Sequence, residues 1–248
     1  MTPANCPIEL LAPARDLDGG LAAIDHGADA IYVGATAFGA RRAAGNSLAD
    51  VAGLVERAHR YWVRVYATLN TLLTDAEVEA AVELARRLDE LGVDGVIVQD
   101  LAFLELELPR GLALIASTQM DCRDPGRVRF LEAAGVSRAI LARELSLDEI
   151  RAVRRAAPRI ELECFVHGAL CVSYSGQCWL SHAGGGRSGN RGDCAQPCRK
   201  PYTLVDAGGR PLVERQHLLS LRDLDLSDHL GALLDAGVTA FKIEGRLK

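Results

Sequence analysis

The chain has 248 residues, 49% hydrophobic and 25% charged, with 5% aromatics and a formal net charge of -5. Its length is close to the roughly 250 residues of a single α/β barrel, and a core poor in aromatics has to be built from Ala, Val, Leu and Ile, as buried parallel strands wrapped by helices are. The acidic balance excludes a protein coated in basic surface, so any nucleic-acid contact must come from a local patch.

No apolar run approaches the ~18 residues of a membrane span, and the opening MTPANCPIEL lacks the charged-then-apolar layout of a secretory signal. A cytoplasmic protein without membrane contact is therefore expected. In that compartment the seven cysteines read as thiols or metal ligands rather than disulfides.

In chain order, strands are predicted at about 8–13, 30–34, 64–70, 95–100, 112–117, 138–143, 161–167 and 240–245. Helices are predicted at 17–27, 47–61, 75–91, 124–134 and 146–157. Four glycine-led repeats mark the joints: GADAIYVG from Gly27, GVDGVIVQD from Gly92, GVSRAILAR from Gly135 and GVTAFKIEG from Gly237. In each, a Gly suited to a helix C-terminus precedes a short β-branched run. The 75–91 helix places Val78, Val82, Ala85, Leu88 and Leu91 on one stripe, with Thr74 or Asp75 as cap. Ser146 with Glu149 reads as a capping box. Strand–helix alternation repeated eight times predicts a closed (β/α)8 TIM-like barrel, a single domain over 1–248. An open doubly wound sheet is the alternative, but it would want a Gly-rich phosphate loop where APARDLDGG stands.

Polar residues at the C-terminal ends of such strands converge on one pocket. Here they are Pro13, Arg15, Asn70, Gln99, Asp100, Ser117 to Gln119, Arg143, Glu144, His167 and Glu244 to Arg246. Asp100 and Ser146 read equally well as helix caps. Asn70, Gln119 and Arg143 are candidates for holding a substrate, and His167 and Glu244 for moving protons. After the second strand, AFGARRAAGNSL carries Phe38, Arg41, Arg42 and Asn46. Guanidinium groups in such a loop suit a carboxylate or a phosphate.

After the seventh strand the rhythm breaks for residues 168–226, an insertion on the face where barrel active sites form. TLVDAGGRPLV within it predicts a small β-hairpin. The rest carries Cys171, Cys178, Cys194 and Cys198 in a C-x6-C-x15-C-x3-C pattern. Four thiolates serve either Zn²⁺ or an iron–sulfur cluster. The wide first spacing and the Gly-rich, Arg-bearing loop suit a cuboidal cluster better than the tight knuckles of a zinc ribbon. Zinc, unligated thiols and a Cys nucleophile partnered by His167 or His182 stay open as alternatives. Cys164 lies on the helix-facing parity of its strand and is expected in the core, while Cys122 stands near the mouth without an assignment. Between Arg187 and Lys200 four basic residues face one acidic residue, Asp193.

The stretch FVHGALCVSYSGQCWLSHAGGGRSGNRGDCAQPCRKPY resembles the signature of the U32 peptidase-like family. The likeness extends through ELLAPARD, TLNTLL, ASTQMD, ILARELSLDEI and the closing FKIEGR. HGALCVSYSGQC with SHA, GRSGNRGDC and HLLSLRD is most similar to the branch that forms 5-hydroxycytidine in 23S rRNA. Sister branches hydroxylate a tRNA uridine or the ubiquinone ring, and the family's older label is peptidase or collagenase. The resemblance implies an RNA-modifying hydroxylase with a 4Fe-4S cluster on Cys171, Cys178, Cys194 and Cys198 and prephenate as hydroxyl source. Arg41, Arg143 or Arg187 would hold that anion, and rRNA or tRNA would be the partner. A U32-type peptidase using zinc or a Cys nucleophile is the competing implication. Members of this branch usually continue well past FKIEGR, so the chain reads either as a fragment, with C-terminal domains missing beyond Lys248, or as a minimal form.

Overall fold

The computed structural model describes residues 8–40 and 45–245. Arg41, Arg42 and Arg246 lie outside the described residues.

Strand β1 (Glu9–Ala14) leads through helix α1 (Leu17–Asp25) to β2 (Ala30–Gly34), and α2 (Leu48–His59) leads to β3 (Arg64–Leu69). Helix α3 (Asp75–Glu90) and β4 (Gly95–Val98) follow, then β5 (Ala113–Ala116), α4 (Pro125–Ala133), β6 (Arg138–Ile140), α5 (Leu147–Ala156) and β7 (Glu161–Gly168). The insertion contributes α6 (Leu180–Gly185), the antiparallel pair β8 (Tyr202–Val205) and β9 (Pro211–Gln216), and β10 (Leu224–Asp225), which runs antiparallel to the end of β7. After α7 (Leu230–Asp235), β11 (Ala240–Ile243) slots in parallel between β7 and β1. With β6 paired to β7, eight parallel strands close into a TIM-like (β/α)8 barrel.

The local reasons are those of the sequence. Gly27, Gly92, Gly135 and Gly237 each follow a helix with φ between +84 and +95, so one turn is used four times. At α5 the Ser146 hydroxyl and the Glu149 carboxylate cap each other's backbone N–H groups. Helix α3 departs from expectation: its buried stripe is Ala81, Leu84, Ala85 and Leu88, with Val78 and Val82 only half-buried. Contact is made through the two alanines, whose small side chains leave the valines at the edge of the interface. Strands β3, β4, β5, β6 and β11 end earlier than predicted, β6 most of all, whereas β2 ends as predicted and β1 and β7 run one residue further. Past Ile140 the chain is already turning toward the mouth, where Ala142 N–H donates to the Cys122 carbonyl at 3.2 Å.

Two apolar shells lie between strands and helices. Cys164 sits in one of them with Leu162 and Val166, as the alternation along β7 requires, and burial pushes its thiol up to about 12. Inside the barrel, Leu11, Ala30, Tyr66, Ile97, Ile115, Ile140 and Phe165 fill the middle. Toward the N-terminal end the filling is ionic. Arg138, 2% exposed, meets Glu9, Glu161 at 2.7 Å and Glu163 at 2.9 Å. Lys242 Nζ stands 3.0 Å from Glu163 and 4.0 Å from the centre of the Tyr32 ring. Burial works against the Arg138 charge, but Glu163 and Glu9 outweigh it and hold the guanidinium above its ordinary value. For Lys242 burial wins over the attraction of Glu163, and its pKa lies below the usual lysine range.

Candidate functional site at the barrel mouth

The C-terminal ends of the strands assemble two facing groups. On one side Arg143 forms an ion pair with Glu244 and stacks on Phe165, its guanidinium carbon 4.0 Å from the ring centre. Glu244 is brought there by β11, whose end is braced from two directions. Tyr32 donates its hydroxyl to the Ile243 carbonyl at 3.0 Å and accepts from Gly245 N–H at 2.8 Å. Burial, with the Glu244 charge adding to it, pushes that phenol well above its ordinary value, so it stays a neutral donor. Glu244 N–H also donates to the His167 carbonyl at 2.8 Å. Beside it Gly168 has φ +116, and a Cβ there would stand 2.7 Å from Glu244 Cβ. Glycine is required for that approach.

His167 is exposed at the end of β7 and faces Asp225 across the antiparallel pairing. The Asp225 carboxyl is held below its ordinary value, first by hydrogen bonds from Ser227 and further by His167.

Across the mouth lies a group of amides and a hydroxyl. Asn70 accepts from Ala40 N–H at 2.8 Å and donates to Ser117 Oγ at 3.4 Å. Gln119 donates to the Asn70 carbonyl at 3.1 Å and reaches the buried Gln99 at 3.5 Å. Asp100 is a cap and tie: it accepts from Leu73 N–H at 2.8 Å and Ala102 N–H at 2.9 Å. Asn46 is buried and donates to the Arg15 and Gly34 carbonyls, a scaffold role.

The cysteine loop sits directly on this rim. Ser175 donates its N–H and its hydroxyl to Glu144, both at 3.1 Å. Gly176, with φ +74, packs on the backbone of Gln119. Farther along, Arg191 clasps Glu77 with two bonds of 2.7 and 2.8 Å and donates to the Leu72 carbonyl. Arg199 donates to the carbonyls of Leu170 and Leu221 and to Ser220 Oγ. The loop is thus tied to the ends of β3, β5 and β6 and to the start of its own insertion.

Cys171, Cys178, Cys194 and Cys198 are free thiols, and they gather. Burial raises the Cys198 thiol, and the neighbouring Cys171, Cys194 and Cys178 raise it further against the pull of Arg199. Cys194 Sγ accepts from Gln196 N–H at 3.4 Å and from Ser181 Oγ at 3.7 Å. Among the described residues no three His, Cys, Asp or Glu side chains stand close enough to share a single ion. The donor set fits a cluster on chemistry, with four thiols and N–H and O–H donors to sulfur already in place. Cys122 does not belong to it. It is fully buried against Ser117, and desolvation pushes it up to about 12.

Residues 15–248 match peptidase family U32. The chain belongs to this family. It is 53% identical over its whole length to a protein of Escherichia coli (strain K12) named 23S rRNA 5-hydroxycytidine C2501 synthase, covering 38% of that protein. It is 34% identical over 97% of its length to tRNA hydroxylation protein P1 of Bacillus subtilis (strain 168), covering 59% of it. The chain therefore spans less than two thirds of either relative. Among solved structures it superposes on the U32 peptidase Mk0906 with a TM-score of 0.62 at 18% identity, covering 99% of this chain and 96% of that one, a likeness of fold.

Of the expected site residues, the U32 barrel brings Asn70, Gln119, Arg143, His167 and Glu244 to one mouth, with the four cysteines in the loop tied to its rim. Arg187 is exposed and donates its Nε–H to the Asp193 carbonyl at 3.0 Å, folding the loop on itself. Arg41 lies outside the described residues. Tyr32 and Phe165 were not expected in the site, whereas Glu144 was. The first two stand on the inward parity of β2 and β7, a signal that alternation carries once closure is assumed. Among the described residues, no helix is long and apolar enough to cross a membrane.

Proposed function

We propose that this chain is the catalytic barrel of an RNA hydroxylase that forms 5-hydroxycytidine in 23S rRNA. The observation that carries the reading is the junction of the cysteine loop with the amide rim, Gly176 on Gln119, within a chain 53% identical throughout to the E. coli synthase. In this reading it brings the loop that carries the four thiols against the rim that carries Asn70, Gln99 and Gln119.

In this reading Cys171, Cys178, Cys194 and Cys198 hold a 4Fe-4S cluster, which supplies electron transfer or Lewis acidity at the mouth. Asn70, Gln99 and Gln119 offer amide donors and acceptors to the polar edge of a base. That base enters unstacked, because a ring atom inside a helix is out of reach. Arg143, freed from Glu244 when an anion arrives, holds the carboxylate of a prephenate-like co-substrate by bidentate hydrogen bonds. Glu244 and His167 then stand next to each other at the strand ends to take and return a proton.

The test has two arms. Iron and sulfide are measured after anaerobic purification of the full protein: stoichiometric iron and sulfide support the cluster, and a zinc-loaded, iron-free protein overturns it. Nucleosides from 23S rRNA and tRNA of cells lacking the protein are compared by mass spectrometry. Loss of 5-hydroxycytidine supports the rRNA reading, loss of 5-hydroxyuridine alone moves the substrate to tRNA, and no change in either removes both.

A further inference from the structure

The cysteine loop exposes two large aromatic side chains, Tyr174 at 59% and Trp179 at 58%. Exposed aromatics on a mobile loop would carry little information, but this loop is pinned. Ser175 is held by Glu144, Gly176 is seated on Gln119, and Gln177 N–H closes a turn onto the Tyr174 carbonyl at 3.0 Å. Arg123 lies 4.1 Å from the Tyr174 ring centre and is fixed in turn by Asp121 at 3.0 Å. That contact fills one face of the ring and leaves the tyrosine well exposed. Trp179 opens helix α6, its carbonyl accepting from Ala183 N–H at 2.9 Å. The Tyr174 ring therefore stands in a fixed place between Cys171 and Cys178, and Trp179 follows Cys178 on a backbone fixed by the first turn of α6.

The surroundings decide between kinds of partner. Val172 and Leu180 are exposed beside the rings, but so are His182 and the glycines that follow it, with Ser173 and Gln177 half-buried. The exposed apolar side chains of the hairpin, Leu204, Val205 and Leu212, form a separate and more uniformly greasy surface. Of the carboxylates beside Tyr174, Asp121 is paired with Arg123 and Glu144 accepts from Ser175, and the later part of the loop carries an excess of cations. Of the cations between Arg187 and Lys200, Arg191 is neutralised by Glu77, which leaves Arg187, Arg199 and Lys200 against Asp193. Arg199 spends its hydrogen bonds on neutral acceptors and keeps its charge uncompensated by a carboxylate in contact. Exposed rings on a pinned loop with an excess of cations, on a chain of net charge -5, match a single-stranded polynucleotide.

We infer that Tyr174 and Trp179 form a stacking platform for unpaired RNA bases flanking the nucleotide that enters the barrel mouth. The inference rests on the RNA reading above and adds to it the surface that presents the strand. Stacking on such rings is sequence-tolerant, since every base has a π-face, so the platform sets strand geometry and leaves base choice to the amide rim.

The test uses a fluorescent single-stranded RNA oligonucleotide and the same sequence annealed as a duplex. Wild type is expected to bind the single strand more tightly than the duplex. Trp179→Ala and Tyr174→Ala are each expected to weaken the single-strand complex by about 5- to 150-fold, while Trp179→Phe stays within about threefold because a ring remains. Trp62→Phe leaves Trp179 as the remaining one of the chain's two tryptophans, and its emission should be quenched as RNA is added. Equal binding by wild type and both alanine variants, without quenching, overturns the platform and leaves RNA binding standing. A wild type that binds neither RNA overturns the platform and the RNA reading together. Alanine variants that lose self-association in sedimentation while keeping RNA affinity also overturn the platform, by making the rings a contact between copies.

Discussion

Gly176 rests on Gln119 so closely that a Cβ added to the glycine would fall 2.0 Å from the Gln119 carbonyl oxygen. No side chain fits there, and φ +74 penalises one independently. Gly176→Ala should therefore lift the cysteine loop off the rim, since the left-handed backbone alone costs about 1–2 kcal/mol. Hydrogen exchange read by mass spectrometry should show lost protection over 171–178 with the strands unchanged. Wild-type protection in that segment would refute the contact.

In the proposed function the ion pair of Arg143 and Glu244 divides two jobs. Glu244→Gln keeps the shape and removes the proton acceptor, so hydroxylation by the full protein should fall by about 10²- to 10⁴-fold. Arg143→Lys keeps charge but loses the planar fork, so it should raise the KM for an anionic co-substrate more than it lowers kcat. Unchanged turnover in Glu244→Gln would remove the carboxylate from the chemistry.

Cys122 and Cys198 give a paired control. On the proposed cluster reading, Cys198→Ser should lose most of the iron that wild type binds. Cys122→Ala should keep it, because that thiol is buried away from the loop and held protonated. Iron loss in both would mean that the barrel core and the cluster loop fail together.

The clasp of Arg191 on Glu77 gives a pH signature. Arg191, and then the hydrogen bonds from Thr74, depress the Glu77 carboxyl to about 2. A depressed folded value means that its stabilising effect is complete above the ordinary glutamate value of ~4.3 and is lost as pH falls from there through about 2. Pepsin should cleave 186–200 increasingly as pH drops across that window, whereas Glu77→Gln should be cleaved at its upper end already. Identical cleavage of the two proteins at every pH would show that the clasp holds nothing.

Arg138 is surrounded by Glu9, Glu161 and Glu163. Arg138→Met would strand those carboxylates around an apolar side chain, at a cost of about 3–5 kcal/mol. A urea midpoint within error of wild type would contradict this.

The barrel was legible because four αβ joints repeat the same chemistry, a glycine with positive φ and then a β-branched run. The same period of two placed Cys164 in the shell and His167 at the mouth. On α3 the expected Ala85 and Leu88 are buried, but Ala81 and Leu84 complete the buried face where Val78 and Val82 were expected. The ionic filling around Arg138 and Lys242 was not foreseen. Glu9, Arg138, Glu163 and Lys242 come from four strands, and a single charged residue in a strand looks like solvent face until closure brings its counter-ions to it. For the same reason the pairing of Arg143 with Glu244 was invisible, though both were expected at the mouth.

The charged filling around Arg138 also fixes traffic. A barrel sealed by ion pairs at its N-terminal end has one door, and here the cysteine loop stands at it. On the proposed RNA reading, anything small that must lie beneath a nucleobase would have to enter before the RNA and leave after it, so that binding would be ordered by architecture and the RNA would be the lid on its own reaction.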